Sequence, residues 1–168
     1  MTKIGLLSDT HSHLDDKILS FFKDVDEIWH VGDIGSWDVV EKLKAIKPFR
    51  AVYGNIDGSD FRQEFKLIEN FSCENIGVLM IHIGGYPGKY AKGIKQFIQE
   101  NPVKLFISGH SHILKVMHDK KLDVLHINPG AAGLSGFHKV RTAIRFSIDK
   151  DKISNLEILE LARYPRRK

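Results

Sequence analysis

The sequence predicts an α/β fold, a four-layer αββα sandwich in which two mixed sheets are flanked by helices. Two observations predict it. Strand-length apolar runs alternate with helically spaced apolar residues through the first two-thirds of the chain, and beyond His112 that rhythm gives way to two hairpin patterns. At 168 residues, with 42% hydrophobic and 27% charged side chains, the chain suits one folded domain with a full core.

The apolar runs 4–7, 27–31, 49–53, 78–83 and 103–107 are of strand length, and each closes on a small or polar residue, as largely buried strands do. Between them Ile18, Phe21 and Phe22, then Val39, Val40, Leu43 and Ile46, then Ile94, Phe97 and Ile98 recur at helical spacing. Such alternation implies right-handed βαβ units with helices on the outer face of a mostly parallel sheet. The runs 114–117 and 124–127 flank Asp119-Lys120-Lys121, and 142–148 and 153–159 flank Asp149-Lys150-Asp151, so both pairs read as hairpins. An antiparallel second part beside a parallel first implies two sheets packed face to face.

Residues 1–162 are expected to form the single domain and 163–168 a basic C-terminal tail. Four basic residues of the net charge of +4 crowd into that tail, which reads as a solvated end. No nucleic-acid-binding signature is present, so nucleic acid is not the expected partner. Cys73 is the only cysteine, which excludes an intrachain disulfide and a thiolate metal cluster. Met1-Thr2-Lys3 leads straight into a short strand run, without the pattern of a signal peptide or a membrane span, and a cytoplasmic location is expected.

The polar residues show one regularity. Asp9 and His11 follow the first strand run, Asp33 the second, Asn55 the third, and His110 with His112 the run 103–107, while His82 lies at the end of 78–83. Open α/β sheets form their ligand sites at the C-terminal strand edge, so these seven are expected to converge. Carboxylate, amide oxygen and imidazole suit Mn, Fe, Ni or Zn, and seven ligands exceed what one zinc takes. A carboxylate serving two cations explains the surplus, and Asp33, alone after its strand, is the natural bridge. Gly32-Asp33, Gly54-Asn55 and Gly109-His110 put glycine before three ligands, where crowded turns need it.

Asp9-Thr10-His11, Gly32-Asp33, Gly54-Asn55, His82 and Gly109-His110-Ser111-His112 resemble the calcineurin-like metallophosphoesterase superfamily. The short length, Gly54-Asn55-Ile56-Asp57 and Asn128-Pro129-Gly130 resemble its small bacterial and archaeal phosphodiesterase branch. The resemblance implies that Asp9, His11 and His112 hold one metal, that Asn55, His82 and His110 hold the other, and that Asp33 bridges them. It implies two divalent ions, Mn first and Ni, Zn, Fe or Mg as alternatives. The implied activity is phosphoester hydrolysis, most naturally of a diester, through metal-bound hydroxide. The implied substrate is a small-molecule or nucleotide phosphate ester. The fold also resembles the small retromer subunit, which makes a non-catalytic protein-interaction scaffold the alternative, and it leaves a homo-oligomer open.

Many superfamily members carry a histidine directly after the asparagine, where this chain has Ile56, so the usual leaving-group acid is missing. His13 is the substitute candidate, from its nearness to His11. Asp57 is read as a carboxylate that orients a ligand, or as a turn residue before Gly58, and His30 as a bonded core histidine. In 82–90 the glycines are candidates for cradling phosphate, with Tyr86, Lys89 and Tyr90 as pocket walls. His118, His126 and His138 read as structural or surface residues, Trp29 and Trp37 as packing, and Asn128 as a turn residue near the site.

Overall fold

The computed structural model describes residues 1–164. In chain order the elements are β1 Thr2–Leu7, α1 Asp16–Phe21, β2 Glu27–His30, α2 Trp37–Ile46, β3 Phe49–Ala51, α3 Ser59–Glu64, β4 Ile68–Cys73 and β5 Ile76–Ile81. The short β6 Gly85–Tyr86 and β7 Lys89–Tyr90 follow, then α4 Ile94–Glu100, β8 Val103–Ser108, β9 Leu114–Asp119, β10 Val124–Pro129, β11 Val140–Asp149 and β12 Lys152–Ala162.

Two five-stranded sheets form, in the orders β12-β11-β1-β2-β3 and β4-β5-β8-β10-β9. The four-layer sandwich with two mixed sheets is therefore as the sequence predicts. The parallel strands, however, divide between the sheets: β1, β2 and β3 pair in the first, β5, β8 and β10 in the second. One hairpin then extends each sheet, β9–β10 the second and β11–β12 the first.

The period-2 alternation of the strands builds the layers. Ile4, Leu6, Trp29 and Ile144 face Val78, Met80, Leu105 and Ile127 between the sheets. On the outer face of the first sheet, Leu7, Ile28 and Ala51 pack against Ile18, Val40, Leu43 and Phe61 of α1 to α3 and their flanks. Outside the second sheet, Leu79 and Phe106 pack against Ile94 and Ile98 of α4. Trp29 sits edge-on to Phe71 and Phe146 in the central layer, and Trp37 stacks on Phe61 at 4.5 Å, so both serve packing.

Pairing continues past the strand ends, and this positions the site. Beyond β1 and β2, Asp9 N–H donates to Gly32 O at 3.0 Å, His11 N–H to Asp33 O at 3.0 Å and Ser12 N–H to Ile34 O at 2.9 Å. Beyond β5 and β8, Gly109 N–H donates to His82 O at 2.9 Å. The segment after β10 joins the sheets at this edge, because Ala132 N–H donates to Ser8 O and Gly133 N–H to Asp9 O. Arg163, expected in a free tail, instead donates through Nε to Leu134 O at 2.8 Å; the rest of the basic end, 165–168, lies outside the described residues.

Candidate metal centre

The strand ends bring six of the seven expected ligands into two tight sets. Asp9, His11 and His112 form one, and Asp33, His82 and His110 the other; within each set one ligand atom per residue lies within 4.8 Å of the others. Asn55, exposed, lines the same cleft of about 510 Å³ as His11, Asp33, His110 and His112. Asp33 stands between the sets: its Oδ2 is 3.4 Å from His11 Nε2 and 3.2 Å from His82 Nε2.

Gathering these groups strains the backbone. Of ten non-glycine residues with positive φ among those described, five are members of the two sets: Asp9, His11, Asp33, His110 and His112. Left-handed backbone costs a non-glycine residue about 1 kcal/mol or more, and such residues persist where function over-determines them. Gly54 is required sterically, since a Cβ there would collide with the Asp33 backbone and carboxylate. Gly32, at φ +93°, leaves room for the His82 ring.

Hydrogen bonds select which atoms face the cleft. Asp9 is fully buried, and its Oδ2 accepts from Ser8 Oγ at 2.7 Å and His110 N–H at 3.1 Å, so Oδ1 is left facing the imidazoles. Asp33 Oδ1 accepts from Ile56 N–H at 3.1 Å, which leaves Oδ2. His82 Nδ1 donates to Val31 O at 2.7 Å, so in the neutral ring Nε2 carries a lone pair. That nitrogen and His11 Nε2 are buried without a hydrogen-bond partner. A buried lone pair on His82 Nε2, 3.2 Å from the Asp33 carboxylate, is repelled unless positive charge lies between them. Oxygen and imidazole donors arranged this way fit divalent cations.

The same field acts on protons. Burial opposes ionisation of Asp9 and Asp33, but the surrounding histidines outweigh it and hold both carboxyls below the usual carboxylate range. The Asp9 carboxylate, 3.8 Å away, raises the His11 pKa above 6.5, and at His82 the two carboxylates overcome burial to the same effect. Below those raised pKa values a metal must displace a proton from each ring. Affinity at each set is expected to fall as pH drops through these raised pKa values, approaching about tenfold per pH unit where its ring is protonated. Calorimetric titration with Mn²⁺ at pH 8, 7 and 6 measures the slope; a flat profile would contradict this electrostatic picture.

Supporting groups fix the ligands in place. His30 is fully buried and held neutral, its pKa lowered by burial to about 3; its Nδ1 accepts from Gly32 N–H and its Nε2 donates to Thr10 Oγ1 at 3.0 Å. Thr10 Oγ1 in turn donates to Ile34 O, so the turns after β1 and β2 are locked together. Asn128 donates to Gly109 O at 3.0 Å and Ser111 Oγ at 3.1 Å, holding the turn that carries His110 and His112. Asp57 is buried and accepts from Gly54 N–H at 2.8 Å, Gly35 N–H at 3.0 Å and Ile34 N–H at 3.2 Å, tying the Asp33 loop to the Asn55 loop. His13 is half-buried in the turn after His11, where its N–H donates to Thr10 O, and it is not among the residues lining the cleft.

His138, read from sequence as structural or surface, belongs to the cleft wall. Its Nε2 is 2.8 Å from Gly133 O, a pure acceptor, so Nε2 carries the proton. Burial lowers its pKa, which keeps the ring neutral and leaves Nδ1 to accept from His112 Nδ1 at 3.2 Å. His112 Nε2 then presents its lone pair 3.1 Å from Asp9 Oδ1. Replacing His138 by Phe keeps a ring but frees His112 to adopt either tautomer. The expected result is about 10–100-fold weaker metal binding at the Asp9, His11 and His112 set, read by chelator competition, with the other candidate set unchanged. Equal affinities in both proteins would exclude this role.

The segment 82–90 is a small hairpin, β6–β7, and not an open glycine loop. Tyr86 and Lys89 line a second cavity, whereas Tyr90 donates to Asp119 at 2.6 Å and packs on Phe106. His118 meets Asp123 on the outer hairpin, but His126 is buried at the second cavity.

Residues 2–151 match the calcineurin-like phosphoesterase superfamily domain. A protein from Methanothermobacter thermautotrophicus named as a probable metallophosphoesterase is 30% identical over 135 residues, covering 76% of each chain. One from Methanocaldococcus jannaschii named as a phosphodiesterase is 31% identical over 142 residues, covering 76% of this chain and 82% of its own. Chaetomium thermophilum Vps29 shares the fold at TM-score 0.76 and 12% identity, over 96% of this chain and 97% of its own. Vps29 from Entamoeba histolytica, solved with zinc, does so at TM-score 0.74 and 14% identity, over 96% and 99%. The chain belongs to the calcineurin-like phosphoesterase superfamily.

Proposed function

We propose that the protein is a divalent-metal-dependent phosphodiesterase with two cations at this centre. The carrying observation is Asp33 Oδ2, set between the unpartnered Nε2 atoms of His11 and His82 at 3.4 and 3.2 Å. Asp9, His11 and His112 would hold one ion, His82, His110 and Asn55 the other, and Asp33 both. Mn²⁺ is the proposed occupant, since a donor set of oxygen and imidazole without thiolate suits it. Bound cations lower the pKa of water toward about 7 and neutralise charge on phosphoryl oxygens.

The protein's own groups supply the positioning. The hydrogen bonds that orient His82 Nε2, His112 Nε2 and one oxygen each of Asp9 and Asp33 would hold the ions in place, and His110 and Asn55, exposed in the cleft, would flank an arriving phosphate. With Ile56 after Asn55, the site lacks the family's usual proton donor, which favours esters with acidic leaving groups. The naming of a similar archaeal protein as a phosphodiesterase supports a diester as substrate.

Chelator-stripped protein, assayed on bis-p-nitrophenyl phosphate and p-nitrophenyl phosphate with Mn, Ni, Zn or Mg restored singly, tests this. Metal-restored turnover that favours the diester is expected. No turnover of either ester with any metal would leave the scaffold reading in its place.

A further inference from the structure

Behind the metal centre lies a second cavity of about 290 Å³, which shares His110, Ser111 and Ile113 with the cleft. That volume is at the lower end for ligand pockets, room for one arm of a diester and not for the whole. A phosphate held at the metals would thus have one cavity on either side of the His110-Ser111 ridge.

The lining of the second cavity is chemically one-sided. Ile83, Ile113 and the Tyr86 ring give it apolar walls, and no carboxylate lines it. Lys115 Nζ lies 3.8 Å from the centre of the Tyr86 ring, and neither Lys115 nor Lys89 is in an ion pair among the described residues. On the inner wall His126 directs Nδ1 at Phe106 O at 3.2 Å, which makes it the donor there; Nε2 is a buried acceptor without a partner. A buried acceptor of this kind costs about 1–3 kcal/mol until a donor reaches it.

We propose that this cavity binds one ester arm of the substrate, and that the arm is planar and carries an anionic substituent. The proposal rests on the phosphodiesterase reading above. The planar ring lies against Tyr86 between the two isoleucines, and the anionic group meets Lys115 and Lys89. A donor on the ring edge satisfies His126. A methyl or other small arm leaves these groups unused, so the cavity sets preference between diesters while the metals act on all of them.

Three diesters with a common p-nitrophenol leaving group test it: p-nitrophenyl phosphates whose second arm is methyl, phenyl or 4-carboxyphenyl, hydrolysed by the Mn²⁺-loaded protein at fixed ionic strength. The wild type is expected to favour the carboxyphenyl over the phenyl ester by at least tenfold in kcat/KM, chiefly through KM. Lys115→Met and, independently, the exposed Lys89→Met are each expected to cut that ratio severalfold. A wild-type ratio near one, or a ratio that survives in both variants, overturns the assignment while leaving the phosphodiesterase intact. Failure of the wild type to hydrolyse any of the three removes the phosphodiesterase reading, and this one with it.

Discussion

Asp33→Asn is expected to abolish diester turnover, by about 10³-fold or more, and to weaken both metal positions together. The substitution keeps the shape of the side chain, and the carbonyl oxygen of Asn can still accept the Ile56 N–H that Asp33 Oδ1 accepts at 3.1 Å. What disappears is the negative charge between His11 and His82. Two dications about 3.5–4 Å apart would then have no shared carboxylate between them. The metal-free protein should keep its fold with a modest loss of stability, because His82 and the Ile56 N–H favour the Asp33 charge over the opposing burial and Asp9. Metal titration, circular dichroism and initial rates on one preparation separate these effects. An Asn variant with wild-type turnover, or one that loses a single metal only, contradicts the bridging role.

The second large effect concerns Asp57, whose carboxylate touches neither candidate ligand set but receives three backbone N–H groups from the loops that carry Asp33 and Asn55. Hydrogen bonds to a charged acceptor contribute about 1.5–3 kcal/mol each, and the donors at Gly54 and Ile34 are buried. Asp57→Ala is therefore expected to lower stability by about 3–5 kcal/mol, a fall in Tm of roughly 10 °C for a chain of this size. Metal affinity should fall as well, since the Asp33 and Asn55 turns lose their common anchor. Asp57→Asn retains one acceptor oxygen and should fall between. Thermal melts of the metal-free proteins check the stability, and a change under about 1 kcal/mol for the alanine variant would show that other bonds hold the loops.

The clustering of the candidate ligands was legible because each follows an apolar run whose length and closure mark a strand end, and because α/β sheets gather such ends along one edge. The glycines before Asp33, Asn55 and His110 carried a second signal, and the collision a Cβ at Gly54 would make with Asp33 shows its physical source. The division of parallel strands between two sheets was not legible, since hydrophobic alternation marks a buried strand without naming its neighbour. β4 escaped because IENFSC alternates with exposed polar residues at a sheet edge, and α3 because it buries only Phe61. His138 lies in the irregular segment between β10 and β11, where no periodicity locates a side chain. Only the geometry of the Gly133 carbonyl and His112 reveals its part. A histidine close behind Asn128-Pro129-Gly130 was the one hint available, and alone it does not distinguish a surface ring from a partner of a metal ligand.

The most direct measurement is crystallographic: Mn²⁺-soaked crystals with diffraction data collected at the manganese absorption edge. Two anomalous peaks about 3.5–4 Å apart are expected, one beside Asp9, His11 and His112, the other beside His82, His110 and Asn55, with Asp33 Oδ2 between them. A single peak, or a pair that does not share Asp33, would contradict the two-metal centre.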